Sequence, residues 1–230
     1  MGFVFTQTAS DNFQRANEEP LNPANWTINS VSGGDLAIVS HLCVAEVALT
    51  TGTEYYTGVS FPENQYAKCT IDQFQSGNSV IELWILSALD ESKGYELVLA
   101  ANGDGTSSLE LVSTPGGHTA TGAPFIVATG DTMAIGFVGS TVYAFYNGVQ
   151  VLSLAADGSS TSGDPGLTIV FSSVQSDTSI SLFSAGSISS GTQPITDIIQ
   201  PGGGRIEAAA RIESPHTSLI GTDFGTKVIG

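Results

Sequence analysis

The fold is decided by residues 139–154, which read Gly139-Ser140-Thr141-Val142-Tyr143-Ala144-Phe145-Tyr146-Asn147-Gly148-Val149-Gln150-Val151-Leu152-Ser153-Leu154. Two runs of β-branched and aromatic residues flank Asn147-Gly148, a dipeptide that tolerates the positive φ angles of a type I′ turn. Before the turn, Val142, Ala144 and Tyr146 share one face, while Tyr143 and Phe145 share the other. The stretch therefore predicts a β-hairpin within an antiparallel β protein.

Residues 11–188 continue this pattern of short strands separated by turns. Turn sequences such as Asn102-Gly103-Asp104-Gly105 and Pro115-Gly116-Gly117 lie between the apolar runs, and no amphipathic helical pattern separates them. This spacing is typical of a two-sheet antiparallel sandwich rather than of parallel βαβ units. We predict an all-β jelly-roll domain over residues 11–188, preceded by an N-terminal segment at residues 1–10.

The composition changes at residue 189, where a Ser/Gly-rich linker begins. Three of the six basic residues lie in the last 26 positions, together with apolar residues that have no core of their own. We predict that residues 189–230 form a linker and a C-terminal arm, which docks on a larger protein assembly or on a second copy. A disordered terminus is the alternative. The candidate docking residues are Arg205, Ile206, Arg211, Ile212, Leu219, Ile220, Val228 and Ile229.

The chain is strongly acidic. Its 230 residues contain 6 Lys and Arg against 22 Asp and Glu, which gives a formal net charge of −16 at pH 7. Such a charge repels phosphate backbones and anionic membranes, so we expect neither nucleic acid nor a membrane as a partner. No segment has the run of about 18 apolar residues that a transmembrane helix requires, and the N-terminus lacks the pattern of a signal peptide. We expect an extracellular or virion surface location.

Two cysteines, Cys43 and Cys69, lie in predicted strands. A disulfide between them is geometrically allowed only if those strands pair. Two buried free thiols are the favoured interpretation, because free Cys is among the most buried residue types.

Several segments carry a family resemblance. The opening Asp11-Asn12-Phe13-Gln14-Arg15, the later Asn25-Trp26-Thr27, and Gly94-Tyr95-Glu96-Leu97 are among them, with Tyr146-Asn147-Gly148 and the closing Leu182-Phe183-Ser184-Ala185-Gly186. They resemble landmarks of the concanavalin A-like lectin and glucanase superfamily, in particular the laminin-G-like jelly rolls of bacterial and phage surface proteins. The resemblance covers residues 8–188 and implies the fold. It leaves the function open, because lectins, glycosidases and structural domains all use this fold.

A catalytic site is not evident in the sequence. Glycosidases of the resembled superfamily carry Glu-x-Asp-x-x-Glu on one strand, and the chain has no such match. Glu82 lies on a predicted strand without a carboxylate at Leu83, Trp84 or Leu86. We therefore expect that the chain is not an enzyme.

Binding residues can be suggested from the same resemblance. Candidate carbohydrate-binding residues are Tyr55, Tyr56 and Tyr95, whereas Trp84 is expected in the core because its strand is apolar on both faces. The resemblance also implies a Ca²⁺ ion at the rim of the sandwich. Its candidate ligands are Asp104, Asp157 and Asp164, although an ordinary turn is the favoured interpretation of both loops.

Three functions compete on these grounds. The first is a structural or adhesive surface protein, such as a phage decoration or fibre protein, with a jelly-roll head and a docking arm. The second is a carbohydrate-binding, lectin-like module, and the third is a glycoside hydrolase. The first two are compatible, because a jelly roll displayed on a surface can also bind glycans.

Overall fold

Strands joined by short turns and loops make up the part of the chain that the structure describes. A computed structural model describes residues 2–29, 34–46, 51–75, 77–171 and 177–191. Among these residues no helix is long and apolar enough to cross a membrane. The described residues form fifteen strands, which are β1 (Gly2–Asp11), β2 (Trp26–Ile28), β3 (Leu36–Val39), β4 (Leu42–Ala45), β5 (Gly52–Tyr56), β6 (Gln65–Phe74), β7 (Val80–Ser87), β8 (Gly94–Ala101), β9 (Ser107–Thr114), β10 (Thr119–Thr121), β11 (Thr132–Val138), β12 (Thr141–Tyr146), β13 (Val149–Ala155), β14 (Asp164–Val170) and β15 (Thr178–Gly191).

The strands form two antiparallel sheets that pack face to face. Sheet A has the order β13-β12-β11-β6-β15-β4-β3, and β1 pairs along β15. Sheet B has the order β10-β9-β8-β7-β14-β5-β2. The predicted all-β, two-sheet sandwich is therefore confirmed.

The hairpin predicted at residues 139–154 is formed by β12 and β13. Asn147 and Gly148 both have positive φ, at 49° and 77°, as a type I′ turn requires. Val142 and Ala144 are fully buried between the sheets, whereas Tyr143 and Phe145 belong to a separate apolar cluster on the outer face of sheet A. The period-2 pattern of the sequence thus predicts correctly which side chains of this hairpin face the core and which face outward.

The core lies between the sheets and is built from alternate residues of nearly every strand. Burying one large apolar side chain contributes about 1.5–3 kcal/mol, so this interior is the main source of stability. Aromatic rings join its layers, as where Trp26 and Phe183 lie 5.0 Å apart between ring centroids. Its largest fully buried side chains include Phe13, Trp26, Ile71, Ile81, Leu83, Tyr95 and Phe183.

The opening motif that begins at Asp11 is a structural hydrogen-bond centre. Asp11 is only 8% exposed, and its carboxylate accepts bonds from the Phe13 backbone N–H at 2.9 Å and the Trp26 indole N–H at 3.0 Å. The Arg15 guanidinium donates to the same carboxylate at 2.5 Å and also pairs with Glu18. Buried polar groups need hydrogen-bond partners. The role of these residues is therefore to stabilise the loop.

The structure places residues 2–11 inside sheet A, where the sequence predicted a separate N-terminal segment. Strand β1 pairs with β15 from Gly2 opposite Gly191 to Asp11 opposite Phe183. Only Phe3, Ala9 and Asp11 are buried in this strand, so its alternation is too weak to be recognised locally. The domain also extends beyond the boundary predicted at residue 188, because β15 continues to Gly191.

Both cysteines are buried free thiols, as the sequence favoured. Cys43 on β4 lies opposite Ile180 of β15, and Cys69 on β6 lies opposite Phe183 of the same strand. Burial raises the pKa of the Cys69 thiol to about 12, so this group stays protonated and inert at neutral pH.

Strand β1 approaches β15 very closely at Gly186. A Cβ atom at Gly186 would lie 2.1 Å from the carbonyl oxygen of Thr6 and 2.8 Å from the backbone nitrogen of Thr8. The register of β1 shifts at this point, between Gln7 and Ala9. The absence of a side chain at Gly186 therefore allows β1 to take its course along sheet A.

We expect Gly186→Ala to lower the free energy of unfolding by about 3 kcal/mol, because the added methyl group overpacks backbone that has no room to yield. Urea denaturation followed by circular dichroism measures this loss. The matched control is Gly191→Ala on the same strand, where the new Cβ meets only the Val4 side chain at 3.4 Å. Equal stability of the two variants would contradict the packing described here.

Candidate functional site

Sheet B presents carboxylates on its outer face. Glu82 of β7 lies opposite Val98 of β8, Glu96 of β8 lies opposite Trp84, and Glu110 of β9 lies opposite Val98. Glu96 is thus a diagonal neighbour of Glu82 on one adjacent strand and of Glu110 on the other, and such positions are about 7–8 Å apart. Glu82 and Glu110 lie on either side of Val98, with β8 between them. We call Glu82, Trp84, Glu96 and Glu110 the carboxylate face. The sequence does not reveal this face, because the carboxylates near Glu82 lie on neighbouring strands and not along β7 itself.

The environment of this face favours protonated carboxyl groups. Burial raises the pKa of Glu82 to about 7, and the nearby charge of Glu91 adds to the effect, whereas Thr168 and Trp84 partly offset it. Burial likewise raises the pKa of Glu96 to about 8, with Glu82 as the next contributor. Near neutral pH, Glu96 is therefore mostly a neutral acid that can donate a proton. Carboxyl groups tuned in this way often mark functional sites.

The aromatic residues of the same face are buried. Trp84 is 4% exposed, and its indole N–H donates to the Thr168 hydroxyl at 3.1 Å. Tyr55 is fully buried and packs where Gly166 leaves space, since a Cβ there would lie 2.5 Å from the tyrosine ring. Trp84 is therefore buried as predicted, but on the outer face of sheet B and not in the core between the sheets.

A further neutral carboxyl group lies inside the sandwich. Glu54 of β5 is fully buried, and its Oε1 accepts bonds from the backbone N–H groups of Leu21 at 3.3 Å and Leu36 at 3.1 Å. Its Oε2 has no hydrogen-bond partner in the part of the chain that the structure describes. Burial raises the pKa of Glu54 to about 8, although the two backbone bonds oppose this. Glu54 is thus protonated at neutral pH.

An open groove of about 470 Å³ lies on the outer face of sheet A. Four aromatic side chains, Phe3 and Phe5 of β1, Tyr66 of β6 and Phe145 of β12, contribute to its wall. The Phe5 ring meets both Tyr66 and Phe145 edge to face, with ring centroids 5.1 Å apart in each pair. Phe5 remains 38% exposed. We call this region the aromatic groove.

Polar side chains complete the aromatic groove. Gln7 and Gln150 line it, as does Lys68 of β6. The residues before and after Lys68 belong to the core between the sheets, so the strand alternation directs Lys68 outward. Its cross-strand neighbours are the small residues Ala134 and Ser184. Amide, ammonium and aromatic groups therefore meet around one opening.

The tyrosines suggested from the sequence do not present open rings. Tyr55 lies within the outer face of sheet B as described above, and Tyr56 is 7% exposed, with its ring 5.2 Å from Trp26. Tyr95 is fully buried and donates a hydrogen bond to Asp157 at 3.2 Å. The structure instead brings Phe5 to the surface. The alternation Phe3-Val4-Phe5 was a signal for it, but the pairing with β15 was not visible locally.

The three candidate calcium ligands lie in separate local environments. Asp104 accepts bonds from the backbone and hydroxyl of Thr106 at 2.9 and 2.6 Å. Burial opposes ionisation of Asp157, but bonds from Ser159, Ser113 and Tyr95 lower its pKa to about 2. Burial raises the pKa of Asp164. Within the described ranges no group of three or more His, Cys, Asp or Glu side chains could hold a metal ion, and calcium binding stays a prediction.

The predicted arm cannot be placed. All eight of its candidate docking residues, from Arg205 to Ile229, lie beyond residue 191 and outside the described residues. Docking or self-association through residues 189–230 therefore stays a prediction.

Comparison with known proteins identifies the fold. No protein-family model matches the chain, and no curated protein matches it. Among solved structures, a Bacillus subtilis protein of unknown function with a galectin-like fold is similar with a TM-score of 0.55 at 12% identity, over 80% of this chain and 99% of that one. The carbohydrate recognition domain of Emp46p, in a potassium-bound form, gives a TM-score of 0.52 at 10% identity, over 76% and 94%. An endo-β-1,3-glucanase from Pyrococcus furiosus gives 0.54 at 11% identity, over 80% and 95%.

These similarities confirm the fold that the resemblance implied, because the chain shares its two-sheet architecture with galectin-like, lectin and glucanase structures. At 10–12% identity the likeness concerns the fold alone. They also correct one expectation. The missing Glu-x-Asp-x-x-Glu pattern was taken to exclude an enzyme, but glycoside hydrolases are among the structures that share this fold. The expectation that the chain is not an enzyme was therefore wrong as drawn, because this fold is shared by glycoside hydrolases as well as by carbohydrate-binding domains.

We expect the free energy of unfolding to fall as the pH rises from about 4.5 to about 8. Glu54, Glu82 and Glu96 have raised pKa values in the folded state, so the folded protein binds more protons than the unfolded chain in this window. Their contribution is fully present below about pH 4.5, and each unit of pKa shift corresponds to ~1.4 kcal/mol. Urea denaturation at a series of pH values measures the slope.

The variant Glu54→Gln isolates one of these groups, because the amide imitates the protonated acid. We expect it to flatten the pH dependence and to be more stable than the wild type at pH 8. Glu63→Gln is the matched control at an exposed position and should leave the slope unchanged. A slope in Glu54→Gln as steep as that of the wild type would show that Glu54 is not held neutral, since Glu82 and Glu96 account for the rest of the slope.

Proposed function

We propose that this domain is a carbohydrate-binding module and that the aromatic groove is its glycan site. A pyranose ring has apolar C–H faces and a rim of hydroxyl groups, so it needs an aromatic surface beside hydrogen-bonding side chains. The groove supplies Phe5 as the exposed ring, with Gln7 and Gln150 as amides that can both donate and accept.

The observation that carries this proposal is that the Phe5 ring is both exposed and held in one orientation. A phenylalanine that is 38% exposed is held against Tyr66 and Phe145 in edge-to-face contacts. Its orientation is fixed before a ligand arrives, so binding orders little that was free. The Phe5 ring therefore offers a preorganised stacking surface at the side of an open groove.

The shared fold supports a test with sugars first. Emp46p contributes a carbohydrate recognition domain of this architecture, although at this level of identity the likeness concerns the fold alone. A structural or adhesive role on a surface is compatible with glycan binding. No observation on the described residues or in the comparisons adds support for a phage decoration or fibre role.

The carboxylate face favours a second candidate function, the hydrolysis of glycosidic bonds. Glycosidases use one carboxylic acid as a proton donor and a second carboxylate across the scissile bond. Glu96, whose pKa is raised to about 8, has the protonation state of the donor at neutral pH. Glu110, its diagonal neighbour on β9, would be the second group. Glycan binding remains the first proposal, because the aromatic groove is open, whereas Trp84 and Tyr55 beside these acids are buried.

Phe5→Ala should weaken glycan binding about tenfold or more, because one aromatic stacking contact contributes roughly 0.5–1.5 kcal/mol beyond the area that it buries. A glycan array selects the ligand, and isothermal titration calorimetry then compares wild type and variant. Thermal denaturation shows whether the variant remains folded.

Leu89→Ala is the matched control for this experiment. Leu89 is 38% exposed, like Phe5, but it lies in the β7–β8 connection and does not line the groove. We expect the Leu89→Ala variant to bind the glycan with the same affinity as the wild type. If folded Phe5→Ala bound the glycan as tightly as the wild type, the aromatic groove would not be the glycan site.

For the second candidate, wild-type protein should release reducing ends from a β-1,3-glucan or from agarose, and Glu96→Gln should abolish that release, because an amide cannot act as the acid. Glu63→Gln is again the exposed control. If the wild type produces no reducing ends above a buffer blank from either polysaccharide, hydrolysis of these two classes is excluded.

A further inference from the structure

We propose that the aromatic groove selects an acidic saccharide, whose carboxylate or sulfate group pairs with the ammonium group of Lys68 while a sugar ring lies against Phe5. This inference rests on the proposed glycan binding and adds the class of ligand. It is carried by the distribution of charge around the groove.

The aromatic groove has a local charge opposite to that of the chain. The chain carries a net charge of −16, yet Lys68 lines the groove and no Asp or Glu does. Arg15, another cation of the described residues, is engaged by Asp11 and Glu18. No ion pair of the described residues includes Lys68. Its ammonium group is therefore available to an anion from outside.

The surroundings of Lys68 favour such a contact. Lys68 is half-buried, so its stem is packed and part of its hydration is lost. Cross-strand neighbours as small as Ala134 and Ser184 leave space for a ligand beside the ammonium group. A charged hydrogen bond formed in a partly dry groove is stronger than one in open water. An anionic substituent on the ligand would pair with an ammonium group that has no ion-pair partner among the described residues.

The negative net charge opposes an anionic ligand only at long range. At physiological ionic strength the screening length is about 8 Å, and no Asp or Glu lines the groove. Contact with Lys68 then outweighs the distant carboxylates. Neutral sugars can still use Phe5 and the two glutamines, so Lys68 determines the preference among sugars and not the capacity to bind them.

The test compares three oligosaccharides of equal length at 150 mM salt, measured on the full chain by calorimetry. They are an oligomannuronate for the carboxylate, a sulfated oligogalactan for the sulfate, and a neutral oligoglucan. We expect at least one acidic ligand to bind about tenfold more tightly than the neutral one, the effect typical of one hydrogen bond to a charged group. Which acidic ligand is preferred distinguishes a carboxylate from a sulfate.

Lys68→Gln should remove this preference, because it lowers the affinity for the acidic ligand about tenfold and the affinity for the neutral ligand much less, whereas Lys68→Arg should retain the preference. Lys93→Gln is the matched control, because it changes the net charge equally and does not line the groove. An equal loss in Lys93→Gln would indicate a general charge effect and overturn the proposal.

The two levels of the proposal can fail separately. If all three ligands bind equally and Phe5→Ala weakens them equally, the acidic preference is wrong and glycan binding at the groove stands. If no glycan on an array or in calorimetry binds the wild type, glycan binding fails and the acidic preference fails with it.

Discussion

The packing of β1 against β15 at Gly186 is the constraint on which the surface of sheet A depends. Backbone atoms of β1 occupy the space where any other residue would place its Cβ. Held in this course, β1 brings Phe3 and Phe5 to the rings of β6 and β12. The aromatic groove thus depends on strand pairing between the two ends of the domain. This pairing requires a glycine at position 186.

A shortage of cations explains how this protein handles its buried acids. With 22 acidic and 6 basic residues, few carboxylates can find an ion-pair partner. Asp11 has one in Arg15 and also accepts bonds from the backbone and Trp26. Burial instead raises the pKa values of Glu54, Glu82 and Glu96 and so favours their neutral forms. Protonation therefore lowers the cost of burying these carboxyl groups, and Lys68 differs from Arg15 because no carboxylate of the described residues forms an ion pair with it.

The local sequence pattern is sufficient to predict the fold but not the candidate sites. The Asn147-Gly148 turn and the alternation around it identify an antiparallel sandwich because both signals are encoded by neighbouring residues. The diagonal placement of Glu82 and Glu96 depends on the register between β7 and β8, and the exposure of Phe5 depends on a partner more than 180 residues away in sequence. Trp84 was assigned to the core because a strand that is apolar on both faces does not reveal which face a ring occupies. Such features arise from pairing between distant segments, which one strand read alone does not specify.

The antiparallel pairing of Gly2 with Gly191 has a mechanical consequence. Tension applied at these two residues loads the β1–β15 ladder one rung at a time, as in opening a zipper, and not all rungs together in shear. The first rungs to part carry Phe3 and Phe5, so a pull on this end dismantles the aromatic groove while the two-sheet core is still intact.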